Sequence, residues 1–539
     1  MKQFIEFYQK TGFTKIAFVL MFIIGLWGIN FGEKVGLRDG KGWDGVTFVY
    51  YTQHFDSLIS NRLINTAIRD TTLTLTHKTN RFFPSMAVHY AMKALDIHIE
   101  TLTIIETFDW YNFFCLLLGA IAVGIIGKNF ALQEKSKWLL FGFLFLNFAF
   151  LKRNFYEPAL TDTTALVLCI WLIAFFSMDS WKGTLGIMLV AIIAAFTWQP
   201  ITIYAYFLIF FPRKIKVVEQ RNLWISIPAW TIFAAGFFYN FWTFYTENGI
   251  EGFNKMIVTA WGQQDYYAKG LKIAALAATV YTACYFGFLL KNISFKNFFS
   301  LYKPDILWRI LPLPVLWFVV NFLNSLVAPA AVASNPDVTS SVMKGVAASA
   351  VSNPLSFIFN FAYHPSAVHL PLEFIFMQIA FFGLAYLIAL FFYDQFTDQI
   401  RKEGGLGMIC IFLVSYANSL LIPESRIGLA MFPFIALFSV LLIDRANWSN
   451  KIYCFLGILI FLVSKVWLHV GNFVDDLPFS YERWHLNSGM WINLRWYAIT
   501  AFVFLCLGTL FWLLTRAKSV WNDIKEGNIL QKLIKLLFG

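Results

Sequence analysis

Charge is what this chain has least of. Asp, Glu, Lys and Arg together supply 14% of 539 residues, against 58% apolar residue types and a mean hydropathy of +0.62. So little polar surface cannot cover a water-soluble globule of this size, and the composition reads as a polytopic membrane protein. Cysteine is also scarce. The six present, at positions 115, 169, 284, 410, 454 and 506, all fall inside apolar runs without C-x-x-C spacing. That excludes a zinc site or a disulfide framework and predicts inert thiols in the core. The first apolar run, IAFVLMFIIGLWGINF, lacks a small-x-small exit and predicts a retained first span in place of a cleaved leader. Acids are nearly absent from the middle of the long apolar runs and no internal repeat is evident, which argues against a secondary transporter.

What the chain does have is apolar runs of about 20 residues, recurring along its whole length between short polar clusters. They read as helices, so the expected fold class is all-α, each span satisfying its own backbone groups. The segmentation gives about fourteen spans. They lie near residues 14–31, 108–127, 138–151, 163–178, 184–198, 200–212, 223–245, 271–290, 306–328, 370–393, 405–422, 427–443, 452–470 and 491–515. The chain then forms one integral-membrane domain over 1–539. Residues 14–215 make a core with an outer loop at 32–107, 216–515 supply further spans, and 516–539 form an amphipathic cytoplasmic tail.

A net charge of +11 suggests nucleic acid in a soluble protein, but here loop topology accounts for it and no nucleic-acid partner is expected. With the N-terminus cytoplasmic, and leaving aside the long first loop, about 23 basic residues fall inside against about 8 outside. Both termini are therefore expected in the cytoplasm, in a multi-pass protein of the bacterial inner membrane. The outer face receives residues 32–107, 152–162, 246–270, 329–369 and 471–490. The first of these loops is far longer than an ordinary connection. Its segments WDGVTFVYYTQHFDSLI and RFFPSMAVHYAMKALDI carry apolar residues at helical spacing, predicting two amphipathic surface helices with Pro84 at the start of the second.

Nearly every unusual polar residue falls on that face. Asp44, in GWDGVTF, reads equally as a helix N-cap or as a group that does chemistry. Asp162, in ALTDTTAL, has the same two readings, and Glu157, in FYEPAL, is a solvated loop carboxylate or a partner to them. Together these acids suit an acceptor hydroxyl or a divalent cation, Mg or Mn, with Asp44 and Asp162 as its ligands. Arg81, in TNRFFP, and Arg426, in PESRIGL, are cations of the type that grips phosphate, unless Arg81 snorkels to headgroups and Arg426 pairs with Glu424. Gln199, in FTWQP, lies at the outer mouth between two spans and suits a polar ligand or a turn. His54, His77, His89 and His98 show no metal spacing beyond H-x-D at 54–56 and read as hydrogen-bonded surface residues. Trp110, Trp261, Tyr266 and Trp491 read as an interfacial belt. The Ala/Ser/Val-rich stretch 329–353 reads as a linker before it reads as a lid.

The first span followed by GWDGVTFVYY, then RFFP inside a long outer loop, then YEPALTDTT leading into a span, and a late ESRIGLAMFP, resembles the integral-membrane glycosyltransferases of the GT-C fold. The likeness is clearest over the first 215 residues or so, and rests on the span pattern beyond them. The resemblance implies a sugar transferred from a polyprenyl-phosphate donor to a lipid, glycan or protein acceptor on the outer face. It implies a general base in the first outer loop, at the position of Asp44, and a second acid at Asp162 or Glu157. Many members carry paired acids in that loop, whereas glycine follows Asp44 here, a departure that bears on the metal. The rival expectations are a polytopic transporter or flippase, and a polysaccharide polymerase or ligase, whose working loop would more naturally come late in the chain.

Overall fold

The computed structural model describes residues 12–36, 38–42, 45–56, 81–148, 150–151, 154–211, 213, 281, 284–290, 309–327, 373–421, 425–464 and 498–511. Every regular element among them is helical. The N-terminal half runs α1 (Phe13–Phe31), α2 (Gly45–Gln53), α3 (Phe83–Ala94), α4 (Thr101–Asn129), α5 (Glu134–Phe145), α6 (Asp162–Ser177), α7 (Trp181–Ala195) and α8 (Gln199–Phe210). The C-terminal half adds α9 (Pro312–Val327), α10 (Glu373–Phe382), α11 (Leu384–Phe391), α12 (Tyr393–Gln399), α13 (Gly405–Leu421), α14 (Phe432–Arg445), α15 (Asn450–Val463) and α16 (Ala498–Phe511). The expected spans at 223–245 and most of 271–290, the outer loops 246–270, 329–369 and 471–490, and the tail 516–539 lie outside the described residues.

Among the described residues two helices, α1 and α4, are long and apolar enough to cross a membrane. Helix α1 is apolar on all sides, yet it buries one narrow stripe, Phe13, Ala17, Met21, Gly25 and Gly28, spaced by three or four residues. That stripe lies antiparallel on α4: Gly124 faces Thr14 near one end and Phe113 faces Gly25 further along. The rest of α1 exposes Val19, Ile23, Trp27 and Phe31, and α4 exposes Trp110, Phe114 and Leu118 four residues apart. Exposed apolar rows of this size mark surface that meets lipid or another protein. Helices α6 and α14 are buried almost throughout and form the centre of the main core.

Polar side chains gather at two levels along α4. Asp109 and Asn112 lie near its start and Asn129 at its end, so the 20 residues from Asp109 to Asn129 span about 30 Å. The level at Asp109 is called here the loop end and that at Asn129 the basal end. At the basal end Arg213 donates to the Asn129 carbonyl (3.2 Å) and to Glu403 through both its Nε and Nη2. Arg445 donates to the other oxygen of Glu403 and to Asp444, and buried Asp444 accepts from Ser136 Oγ (2.5 Å) and the Gln133 N–H (3.2 Å). Four connections that carry the basic excess, around residues 133, 213, 403 and 445, therefore converge on one end.

Several boundaries differ from the sequence reading. The span expected at 138–151 ends at Phe145, because Asn147 donates to the Phe143 and Leu144 carbonyls and accepts from the Phe150 N–H, capturing groups the helix would use. The span expected at 370–393 breaks at Gly383, whose φ of 84° leaves the helical region, and again at Phe392. The span at 427–443 begins at Phe432, preceded by a 3₁₀ turn Ser425–Ala430. Pro84 starts a helix as expected, and Pro200 and Pro433 likewise occupy a first turn, where no N–H partner is lost. The thiols divide. Cys169 is buried, whereas Cys284, Cys454 and Cys506 are exposed on apolar helices and are not core groups.

Replacing Asp444 by Leu leaves the Ser136 hydroxyl, the Gln133 N–H and one side of Arg445 without their acceptor. The expected loss is about 1–3 kcal/mol, read as a lower thermal unfolding midpoint of detergent-purified protein.

Candidate functional site

The loop end is built by fastening the first long connection onto the bundle. Lys34 Nζ meets both carboxylate oxygens of Asp109 at 2.6 and 2.7 Å, and the Val35 N–H donates to the Tyr156 carbonyl at 3.1 Å. Phe155 fits under Gly28 of α1 and Gly32 just beyond its end, where a side chain on either glycine would collide with it or with the helix backbone. Gly42 has φ of 67°, and a Cβ there would stand 2.5 Å from Glu157 Oε1. Glycine is required at 42 on both counts. Gly45 approaches Ala159 in the same way, with its Cβ position 3.3 Å from that of Ala159. The chain on both sides of Asp44 thus rests on the segment from Glu157 to Ala159. Asp44 itself lies outside the described residues.

One amide holds that segment. Asn112, buried on α4, donates to the carbonyls of Asn154 (3.1 Å) and Pro158 (2.8 Å), bracketing Glu157. Asp162 is the first residue of α6 and is 4% exposed. Thr161 occupies the N-cap position and its side chain makes no capping bond, which sets Asp162 in the first turn of α6.

The two expected surface helices form as α2 and α3 and pack against each other. Ser85 Oγ donates to the Phe48 carbonyl (2.9 Å), and His89 Nδ1 donates to the Thr52 carbonyl (2.7 Å). His89 is only 2% exposed, so the expectation of a surface histidine is corrected: a neighbouring backbone acceptor lets it bury. Its Nε2 stands 3.3 Å from Asp56 Oδ1, and Asp56 is also paired with Lys93. The Lys93 hydrogen bond, aided by His89, holds the Asp56 carboxyl below the usual carboxylate range. Burial, reinforced by Tyr50, pushes the Tyr51 phenol up to about 12 and keeps it neutral.

Arg81 stacks on a residue that the sequence reading missed, the one before Gln199. The Arg81 guanidinium lies over the ring of Trp198, 4.2 Å from its centroid, and Gln199 follows at the start of α8. Phe82 packs on Phe196, and the Phe83 N–H donates to the Phe196 carbonyl (2.9 Å), fixing RFFP to the turn between α7 and α8. Tyr51 touches both the apolar cluster under Ala159 and the one around Phe82 and Phe196, so α2 links the two groups of site residues. Arg426 belongs to the 3₁₀ turn Ser425–Ala430, which packs on α6 and α10, and the Gln378 amide lies against Gly428 of that turn.

Three of the residues missed carried a signal. Asp109 and Asn112 interrupt an apolar run three residues apart, on one helix face, and Lys34 follows the first span directly. Trp198 and Gln378 carried none that separates them from ordinary core or interface residues. Among the described residues no three His, Cys, Asp or Glu side chains group as metal ligands. Comparison with family models, with curated proteins and with solved structures finds no match to the chain.

The depressed carboxyl of Asp56 supports the α2–α3 contact at neutral pH, and that support is lost as pH falls through its folded value, below the ordinary carboxylate range. Hydrogen exchange over residues 45–53 is expected to quicken in that acid window in the wild type, and Lys93→Met is expected to move the onset up towards the ordinary range.

Proposed function

We propose that the protein is a polytopic membrane glycosyltransferase of the GT-C kind, with about fourteen spans, that moves a sugar from a polyprenyl-phosphate donor to an acceptor hydroxyl at the loop end. The single observation that carries this reading is the chemistry left open there. Buried polar side-chain atoms are almost always hydrogen-bonded. Yet Thr47 Oγ1, Asn112 Oδ1, Asn154 Nδ2, Trp198 Nε1 and Gln378 Oε1 are buried with no hydrogen-bond partner among the described residues. They accompany Glu157, Asp162, Arg81 and the Arg426 turn, a set of acceptors and donors suited to a hydroxyl-rich, phosphate-bearing ligand. At the basal end Arg213, Arg445, Glu403 and Asp444 form a network of ion pairs.

The membrane part of the reading is supported by the exposed apolar rows and by the spacing of the two polar levels, which is close to the roughly 30 Å of a bilayer's hydrocarbon core. The positive-inside bias assigns the basal end and both termini to the cytoplasm of a bacterial inner membrane. No nucleotide sugar is present on the other side, so the donor arrives anchored in lipid.

In the reaction Asp44 takes the proton of the acceptor hydroxyl, whose oxygen attacks the anomeric carbon. The new glycosidic bond forms as the bond from that carbon to the phosphate oxygen breaks, and the electron pair leaves with the phosphate. Arg81 and Arg426 offset the charge that develops on it. Glu157, Asp162 and Gln199 orient the acceptor and the sugar. A divalent cation, Mg or Mn, would be held by Asp44 and Asp162 and would help to offset the charge on the departing phosphate.

Asp44→Asn is expected to abolish transfer from a polyprenyl-phosphate sugar in membranes while leaving the protein folded, as judged by its unfolding midpoint. A fully active variant overturns the assignment.

A further inference from the structure

The chain between α1 and α2 takes a backbone path that L-residues rarely adopt. Arg38, Asp39 and Gly40 are left-handed in succession, with φ of 52°, 57° and 84°, and Gly42 follows with φ of 67°. Arg38 and Asp39 carry side chains, which crowd their own backbone in that region. Such strain persists where the surroundings dictate the path, and it collects at sites that bind or react. Here the path is dictated from both ends. Lys34 and Val35 are fastened to Asp109 and to the Tyr156 carbonyl, while Gly42 and Gly45 rest on Glu157 and Ala159.

The turn held in this way presents donors. A bond from the Lys41 N–H to the Arg38 carbonyl (3.3 Å) closes it, and the N–H groups of Asp39 and Gly40 donate to nothing among the described residues. Successive free N–H groups in a turn make a concave seat for an anion. The Lys41 ammonium makes no ion pair or hydrogen bond among the described residues either, and Lys41 is half-buried, within reach of a ligand. Arg38 and Asp39 are opposite in charge, so the turn as a whole is cationic through Lys41.

Its level suits a phosphate carried by a lipid. Gly40 lies over α4, with its Cβ position 3.3 Å from Ile105 Cδ1. Ile105 precedes Asp109 by one helical turn, about 6 Å, on the water side of the apolar run of α4. On the membrane side α1 exposes Trp27 and Phe31 one turn apart, an apolar track open to a chain lying in the bilayer.

We propose that the turn Arg38–Gly42 seats the phosphate of the polyprenyl-phosphate donor, through the Lys41 ammonium and the N–H groups of Asp39 and Gly40. This rests on the reading of the protein as a polyprenyl-phosphate-dependent transferase, and adds Lys41 to Arg81 and Arg426 as a group that meets the phosphate. Asp44 follows Lys41 closely in sequence, so one fastened stretch of chain carries both the base and the seat. Transfer converts a phosphodiester with a single negative charge into a monoester that carries a second. The seat therefore holds the departing phosphate more strongly than the bound donor, the condition under which binding accelerates a reaction.

Full-length protein in detergent is exposed to polyprenyl phosphate, with polyprenol, phosphatidylglycerol and inorganic phosphate as comparison ligands, and retained ligand is counted by native mass spectrometry. The wild type is expected to keep polyprenyl phosphate against an excess of the other three. Lys41→Gln is expected to weaken retention about tenfold at an unchanged unfolding midpoint, and Lys41→Arg to restore it. Asp39→Asn, which tolerates the left-handed backbone and removes the acid from the turn, is expected to bind at least as tightly as the wild type, and decides the matter should Lys41→Gln unfold. Undiminished retention by folded Lys41→Gln, displacement by phosphatidylglycerol or inorganic phosphate, or loss of binding in Asp39→Asn, the mark of a cation seat, overturns the proposal. Normal binding by Lys41→Gln beside an inactive Asp44→Asn protein removes this seat and leaves the transferase reading standing. Active Asp44→Asn beside weakened Lys41→Gln does the reverse.

Discussion

The arrangement of this protein follows from the dry middle of its helices. Residues in the central turns of α1, α4, α6 and α14 are apolar on nearly every side, so a charge or an amide placed among them has little to bond to. Polar side chains are driven to two levels, and the two have different chemistry. At the basal end Glu403 is shared by two arginines and Asp444 by a hydroxyl, a backbone N–H and a guanidinium, so charges satisfy one another. At the loop end buried amides and an indole keep atoms without partners among the described residues. A closed network fixes helices.

The loop end is assembled from stretches that are remote in sequence: residues 34–36, 38–42 and 45–53, 81–94, 109–112, 154–162, 196–199, Gln378 and 425–430. No single helix presents the site. Asn112 sets the 154–158 segment, that segment supports Gly42 and Gly45, and the RFFP stretch is fastened separately to the α7–α8 turn. Errors in position therefore accumulate from α4 outward, so a substitution at Asn112 would be felt at Glu157 before it is felt in the bundle.

How much of this the sequence reveals depends on the kind of signal. Helix starts were legible at Phe83, where a proline follows within an amphipathic pattern, and at Gln199, one residue before the expected span. The break at Gly383 was not, because an apolar run conceals a backbone torsion, and neither was the early end of α5, which depends on where the Asn147 amide turns. Apolar periodicity fails on helices that are greasy all round. Hence Cys454 and Cys506 could not be told from Cys169, although only the last is buried. The candidate acids stood out as polar residues next to apolar runs, whereas Trp198 and Gln378 acquire their meaning only from what folds against them. His89 was misread for the same reason: its acceptor, the Thr52 carbonyl, has no sequence signature.

The ion pair between Lys34 and Asp109 has a wider consequence. It joins residues 75 apart and brings together the ends of the chain that carries α2 and α3. Once such ends are pinned by α1 lying on α4, the entropy of closing the intervening loop rises only with the logarithm of its length, about 0.6 kcal/mol for a doubling. Insertions and deletions between the two anchors are thus thermodynamically cheap. Evolution can remodel whatever this loop recognises while the bundle beneath it stays the same.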